Sequence, residues 1–510
     1  QWTVYPVNHS SGVLVNGQRT IDKLPVKAGD CIAIGGVELY FFPSTESDEA
    51  KVARRRVEDR QRRRVSQTAT LLLVNLCQAL LFAQVFLTAQ AEDRLPIGVA
   101  FAGLALLSWA LYGVYRAAQR SAYELESLVF LLISIGAAVT AAYDPSSLYK
   151  LLITVVMGMA LFLIMSGILR DLHTSIQARW PVALAAGALL AFNVVLGERI
   201  FGAKNWISIG PLSFQPSELV KIAFILAGAA TLDRLFAKRN LIFTILFSAY
   251  CVGCLALMSD FGTALIFFVA FLCIAFLRTG DLPSIAMMVA AAAFGCGIIL
   301  RFKPYIADRF SAWLHVWDHA QDIGYQQTRT MSAMASGGLF GAGADKSWLK
   351  YIGAANTDLV FGVVGEEFGF LLALCCVASL MLPIAFTLRC AATARSSFYT
   401  ILSCATAAML VCQMALNVLG AVDLLPLTGV TFPFVSMGGS SMISCWGLMA
   451  YLKAADTRQN ASFALRLSKL APDQKKRPSP PPVKPARQEG FFADRPDIPV
   501  DEIFGKEEQK

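Results

Sequence analysis

The chain has 510 residues, of which 56% are hydrophobic and 16% charged, with a formal net charge of +8 and a mean hydropathy of +0.55. So few polar residues cannot clothe a water-soluble globule of this length, and the chain is therefore expected to be an integral membrane protein. The excess of Lys and Arg is a topology signal rather than a nucleic-acid footprint, so no nucleic-acid partner is expected.

Residues 1–45 differ in kind from the rest. "SGVLVNGQRTIDKLPVKAGDCIAIGGVELYFF" alternates apolar and polar residues between Gly, Asn and Asp turn signals, which predicts short strands of a small β-segment. The order V-N-G, then G-D-x-I-x-I-G, then L-x-F resembles the C-terminal half of a forkhead-associated (FHA) domain. That resemblance implies a phosphothreonine protein as partner in the cytoplasm, with Asn16 in the place of the family's peptide-contacting Asn. The Arg and Ser of the family's earlier binding loops have no counterpart, so the segment reads as incomplete, and a degenerate fold that only docks stays open beside phosphopeptide binding. A basic linker at 46–65 follows, whose "KVARRRVEDRQRRRV" places the N-terminus in the cytoplasm and suits contact with anionic membrane lipid.

Twelve apolar runs come next, near 67–89, 95–116, 124–142, 149–169, 181–197, 217–236, 241–258, 261–277, 283–300, 358–386, 398–420 and 433–453. Each is long enough to cross about 30 Å of hydrocarbon as a helix, the form that satisfies every backbone group internally. Alternate loops then sort by charge. "YRAAQR", "RDLHTSIQAR", "FAKRN", "LRTGD" and "LRCAATAR" fall inside, while "QAEDR", "YDPSS" and "MSDFG" fall outside. The loop at 301–357 is expected to face outward and both termini to be cytoplasmic. The tail at 456–510 is Pro-rich and charged and is expected to be disordered. Of the twelve Cys, nearly all lie inside spans, including Cys251 and Cys254, and read as small apolar fillers rather than zinc ligands. No cleavable signal peptide is expected, and an opening Gln1 reads as a processed or partial chain.

Four polar islands interrupt the membrane part. In the first, "GERIFGAKNWISIGPLSFQPSELVKIAFIL" (197–226), Gly202, Gly210 and Pro211 break helix and Pro216 is placed to start the next one. Glu218 and Lys221, three apart, share one helix face and can pair. Either they close a helix end, or Lys204 and Lys221 supply positive charge to an outward cavity. The second island, "RFSAWLHVWDHAQDIGYQQTRT" (309–330), holds Asp318 and Asp322 four apart, in line on a helix or spread along an irregular loop. A carboxylate among Trp313, Trp317 and Tyr325 would be partly desolvated and poised as a base, unless both acids are ordinary solvated loop residues. His315 and His319 are too common a spacing to argue for a metal. The third island, at 336–370, makes close Gly-rich turns and then carries Glu366 and Glu367 about two turns into the next span, where acids need a partner or a cavity. Its Gly run lacks the Gly-Lys-Ser/Thr ending of a phosphate loop. The fourth, at 422–441, joins the last two spans outside, with Pro, Gly and Ser that need protein or water around them.

Taken together the islands resemble the SEDS (shape, elongation, division and sporulation) family, that of FtsW, RodA and SpoVE. "NWISIGPLSFQPSELVKIA" resembles R-W-I-x-I-G-P-x-x-F-Q-P-S-E-x-x-K, and "SDFGTALI" resembles D-L-G-T-A-x. "GYQQTRTMSAMASGGLFGAG" resembles G-Y-Q-x-x-Q-S-x-x-A-I-G-S-G-G-L-x-G-x-G, and "NTDLVFGVVGEEFGF" resembles H-T-D-F-I-F-A-x-x-x-E-E-x-G. "NVLGAVDLLPLTGVTFPFVSMGGSS" resembles N-x-x-x-x-x-G-x-x-P-x-T-G-x-x-x-P-F-x-S-x-G-G-S-S. The implied fold is mainly α, a polytopic bundle of about 12 spans. Its SEDS-like core of ten occupies 121–455, preceded by two additional helices at 66–120 and the β-segment. Where the family writes W-x-x-P-x-x-D-P-x-G-x-G-Y-Q, the sequence "WLHVWDHAQDIGYQ" lacks the Pro and the Asp-Pro pair. The catalytic acid column falls on His319, and a one-residue shift restores an acid at Asp318, with Asp322 in reserve.

The resemblance implies a peptidoglycan glycosyltransferase that joins lipid II to the nascent glycan at the outer face of a bacterial cytoplasmic membrane, in division, elongation or sporulation. A class B penicillin-binding transpeptidase is the implied partner. Asp318 and Asp322 are the implied catalytic residues. The implied substrate-binding set is Lys204, Trp206, Gln215, Glu218, Lys221, Tyr325, Gln326, Arg329, Thr357, Asp358, Ser436 and Ser440. A divalent cation, Mg or Mn, suits the substrate pyrophosphate. Two alternatives stay open: a lipid II flippase, or a non-catalytic scaffold for a transpeptidase.

Overall fold

The computed structural model describes residues 66–456, except 119, 121, 201–202, 210–211, 233–237, 303–309, 345 and 393–396, together with strands and turns between residues 2 and 40. The expectations for the linker at 46–65, for the tail beyond 456, and for Gly202, Gly210 and Pro211 lie outside the described residues.

In the N-terminal segment β1 (Trp2–Val4) pairs with β4 (Leu24–Val26). A four-stranded antiparallel sheet in the order β3-β2-β5-β6 contains β2 (Val13–Val15), β3 (Gln18–Thr20), β5 (Cys31–Ile34) and β6 (Val37–Tyr40). Asn16 turns between β2 and β3 at φ 53°. Its Nδ2 donates to Asp30 Oδ1 (2.9 Å), and its Oδ1 accepts the Cys31 N–H (2.8 Å), so both ends of the amide are engaged inside the segment. The Lys27 N–H and the Asn16 amide together hold the Asp30 carboxyl below its usual range.

The helices follow in chain order: α1 (Gln67–Thr88), α2 (Arg94–Ala117), α3 (Glu124–Tyr143), α4 (Leu148–Ile168), the short α5 (Leu172–Gln177) and α6 (Arg179–Leu196). A three-stranded hairpin comes next, β7 (Glu198–Ile200), β8 (Ala203–Ile209) and β9 (Leu212–Phe214). Then come α7 (Pro216–Leu232), α8 (Lys238–Leu257), α9 (Phe261–Thr279) and α10 (Leu282–Phe302). The last group is α11 (Tyr325–Gly337), α12 (Val360–Glu367), α13 (Phe370–Ala392), α14 (Ser397–Ala421) and α15 (Gly439–Ala454). Among the described residues, eight helices are both long and apolar enough to cross a membrane. The expected spans at 217–236, 241–258, 283–300 and 433–453 are present as helices α7, α8, α10 and α15, of which α7 and α15 have only 17 and 16 residues. The protein is thus a mainly helical, multi-pass membrane protein.

α15 lies inside the bundle, against α4, α7 and α14. Its Trp446 is fully buried and meets Phe130, Phe162 and Phe434 edge-on at centroid distances of 5.7, 5.6 and 6.1 Å. Gly158 of α4 admits that ring, for a Cβ there would collide with Trp446. Near the end of α15, Lys453 pairs with Glu126 of α3 at 3.0 Å, and Tyr115 of α2 donates to the same carboxylate at 2.6 Å. This contact ties α2 to α3 and α15.

One expected span is corrected. The run at 358–386 does not form a single helix: α12 stops at Glu367, Gly369 turns the chain at φ +92°, and α13 begins at Phe370. The Gly-rich run packs its backbone into this break. Ala342 N–H donates to Glu366 O (2.8 Å) and Phe370 N–H to Gly338 O (2.9 Å), and a Cβ on Gly341 would run into the Glu367 carbonyl. Glu366 is buried because its carboxylate accepts the Trp348 and Leu349 N–H groups (3.1 and 3.3 Å) and the Ser347 hydroxyl.

Candidate active site

A short loop and a hairpin set the first side of the site. Lys204 N–H of β8 bonds Met258 O (2.8 Å), bringing the hairpin against the turn between α8 and α9. Asp260 ends that turn and caps α9, its Oδ1 accepting the Thr263 N–H at 3.2 Å. Its Oδ2 accepts Asn205 Nδ2 (2.9 Å) and Gln215 Nε2 (3.1 Å), so one buried carboxylate orients an amide of the hairpin and one just after it. Gln215 N–H in turn donates to Ser440 Oγ at 3.0 Å, linking residues 225 apart and setting the start of α7 beside the start of α15.

The second side is the loop between α14 and α15. Asn417 Nδ2 donates to Asp358 O (2.9 Å) and Val430 O (2.8 Å), and Ser436 Oγ donates to Thr357 O (2.6 Å). Gln413 Nε2 donates to the backbone oxygen and hydroxyl of Thr431 (3.1 and 3.2 Å), and the Thr431 hydroxyl bonds that of Ser441 (2.8 Å). Buried behind them, Lys221 Nζ donates to Glu218 Oε1 (2.7 Å) and Gln413 Oε1 (3.0 Å).

Between these sides lies a cavity of 890 Å³. Val252, Ala264, Leu265, Phe268, Ala292 and Gly295 from α8, α9 and α10 make one wall apolar. Asn205, Gln215, Asp260, Thr357, Asp358, Thr431, Ser440 and Ser441 supply the cavity's polar groups, alongside Leu416, Leu425, Pro426, Leu427 and Met437 from the α14–α15 side, and Trp206, Phe310 and Trp313 add aromatic surface. Such a space suits a ligand with a hydrocarbon part and a hydrogen-bonding head.

Of the expected site residues, Trp206, Gln215, Thr357, Asp358 and Ser440 line the cavity. The others do not. Lys204 Nζ donates to Val194 O and Val195 O (2.9 and 3.0 Å) at the C-terminal end of α6, where a cation meets the helix dipole. Glu218 and Lys221 form a buried pair, and neither Lys204 nor Lys221 lines the cavity. Gln326 Nε2 donates to Gly353 O (3.0 Å), Arg329 stacks over Tyr325 at 5.2 Å, and Ser436 is buried in the loop. Asp318 and Asp322 are exposed, on a run of turns from Trp313 to Gly324 rather than on a helix, and the partial burial expected for them among Trp313, Trp317 and Tyr325 is absent. The cavity-lining residues described include no Lys or Arg. The described residues also contain no cluster of three or more His, Cys, Asp or Glu, so they do not assemble a metal site of their own.

Sequence reasoning missed Asn205, Asp260, Gln413, Asn417, Thr431 and Ser441. Asp260 stands inside the "SDFGTALI" motif, which was the available signal. Asp423 carried another, since it occupies the first Gly position of the closing family pattern.

The family model for FtsW, RodA and SpoVE, described as a cell cycle protein, matches residues 122–461. Peptidoglycan glycosyltransferase RodA of Mycobacterium leprae is 27% identical over 421 residues, covering 76% of this chain and 89% of that one. Probable peptidoglycan glycosyltransferase FtsW of Tolumonas auensis is 34% identical over 290 residues, covering 54% and 75%. Among solved structures, one described as the structural coordination of polymerization and crosslinking by a peptidoglycan synthase complex superposes with a TM-score of 0.56. It is 27% identical and covers 66% of this chain and 97% of that one. With the model matching well over half of its length, the chain belongs to the FtsW/RodA/SpoVE family.

Proposed function

We propose that the protein is a peptidoglycan glycosyltransferase that polymerises lipid II at the outer face of a bacterial cytoplasmic membrane, with both termini cytoplasmic. The observation that carries this reading is the cavity with both apolar and hydrogen-bonding lining. Its apolar stretch on α8–α10 suits a polyprenyl chain, and its amide, hydroxyl and carboxylate groups suit the sugars. In the reaction the 4-hydroxyl of one lipid II attacks the anomeric carbon of the growing glycan. The new C–O bond forms as the bond to the pyrophosphate oxygen breaks, and a single displacement inverts the centre. The hydroxyl proton passes to a carboxylate, which we assign to Asp318, with Asp322 in reserve.

Asp260 is a poor candidate for that role because its oxygens already accept from Asn205, Gln215 and the Thr263 N–H. Its work is to hold the two amides against the substrate. Asp358 lines the cavity directly and is placed to bind sugar hydroxyls. The leaving pyrophosphate is met by the N-terminal end of α15, whose Gly438, Ser440 and Ser441 line the cavity and whose aligned N–H groups favour anions. A cross-linking transpeptidase of class B is the proposed partner, in keeping with the synthase complex whose fold this chain shares.

The test is polymerisation of lipid II by the purified full chain and by Asp318→Ala, Asp322→Ala and Asp358→Ala. Asp318→Ala should abolish polymerisation with its unfolding temperature unchanged. Full activity in Asp318→Ala with loss in Asp358→Ala moves the base to Asp358, and an inactive parent protein defeats the polymerase reading.

A further inference from the structure

The run of turns that carries Asp318 is closed by short-range bonds, such as His315 N–H to Ala312 O (2.9 Å) and Asp318 N–H to His315 O (3.0 Å). Such bonds shape each turn, but they do not set the run against the rest of the site. Two contacts at its beginning do so. Trp313 Nε1 donates to Leu424 O (3.2 Å), and Leu314 N–H donates to Asp423 Oδ1 (3.2 Å). Gln327 of α11 approaches the same oxygen at 3.5 Å, while its stronger bond goes to Gly420 O (3.0 Å), so the end of α14 and both flanks of the run meet at Asp423.

Asp423 is an unusual residue for this place. Its φ is +62°, a region that Cβ-bearing residues seldom adopt and Gly adopts freely, and the residue is only 7% exposed. Leu314, whose N–H it binds, is also left-handed at φ +64°. Where the family writes Pro and the Asp-Pro pair in the run, Val316, His319 and Ala320 stand here, so the ring constraints that would stiffen it are missing. A buried carboxylate at a backbone position suited to Gly, spent on an N–H near the start of a run without Pro, points to a fastening.

We infer that Asp423 is a positioning residue for polymerisation: its carboxylate anchors Leu314, which fixes Trp313 in the cavity wall and sets the start of the run that carries Asp318. The inference rests on the proposed function, and it has a consequence independent of activity, protection of the backbone at 313–318.

The experiment uses the purified full chain, Asp423→Gly and Asp423→Asn. Glycine relieves the left-handed backbone while removing the acceptor, so its unfolding temperature should not fall. Amide hydrogen exchange of the 313–318 segment should rise about tenfold in Asp423→Gly. The kcat on lipid II should fall at least about tenfold while KM stays within about twofold. Asp423→Asn, which keeps an acceptor and tolerates positive φ, should hold exchange and kcat within about threefold of the parent. Exchange in Asp423→Gly at the parental rate overturns the anchoring whether or not the protein polymerises lipid II. Raised exchange with undiminished kcat overturns the positioning role alone, as does an Asp423→Asn as slow as Asp423→Gly. An inactive parent defeats the functional reading and, with it, the catalytic half of the inference.

Discussion

The wall made by the hairpin, α7 and α15 and the run of turns at 313–324 both come from family motifs, yet they are built differently. In the wall, several polar groups are half-buried or buried and are held by partners far along the chain, as Gln215 is by Asp260 and Ser440. In the run, the acids are exposed and the bonds are local, with Trp313 and Leu314 as its fastenings to the α14–α15 loop. A fixed wall holds a substrate in one place, whereas an exposed carboxylate on turns can be brought to a hydroxyl only as well as its anchor allows. Motif residues therefore divide into those that line the cavity and those that hold the helices around it, and Lys221 belongs to the second group.

The difference can be broken most forcefully at that lysine. Lys221→Met leaves Glu218 buried without its cation and removes the donor to Gln413, and should cost about 3–5 kcal/mol of stability in detergent unfolding. A loss below about 1 kcal/mol would mean that the pair behaves like an exposed one. Asp260→Ala comes next. It strips the cap from α9 and frees both amides, and should lower stability by about 1–3 kcal/mol and lipid II polymerisation about 10²-fold. Polymerisation at the parental rate in this variant would remove Asn205 and Gln215 from the binding wall.

The smallest effect sharpens the contrast from the loop side. Asp144, in the turn between α3 and α4, accepts from Ser147 and Ser146, and these bonds hold its carboxyl below the usual value of 3.8. A lowered folded value means that the stabilisation is fully present above about pH 4 and is lost as pH falls through the lowered value. Unfolding profiles of the parent and Asp144→Asn should run parallel from pH 8 to 5 and converge only in acid, and divergence near neutrality would contradict this.

Most apolar helices and their order were legible because hydrophobic runs are a local property. The expected span at 358–386 failed for a specific reason. Residues 360–367 are apolar enough to continue into α13, but the backbone of the Gly-rich run claims Glu366 and Gly369 as contacts and breaks the helix there. The site was legible in part. Trp206, Gln215, Thr357, Asp358 and Ser440 were read from motifs and face the cavity, while Lys204 and Lys221 look alike in sequence and turn to a helix end and a buried acid. Charge in a motif says that a partner is needed, not which one answers.

By itself, the sequence determined the membrane class, the order of the apolar helices apart from the break at 358–386, and the family, because apolar length and motif order are written along the chain. Only the tertiary structure decided which polar side chains share the cavity, since the partners of Gln215, Asn417 and Asp423 lie dozens to hundreds of residues away. The physical reason is that inside a membrane protein a buried polar group must find a hydrogen bond, and the packing of helices chooses where.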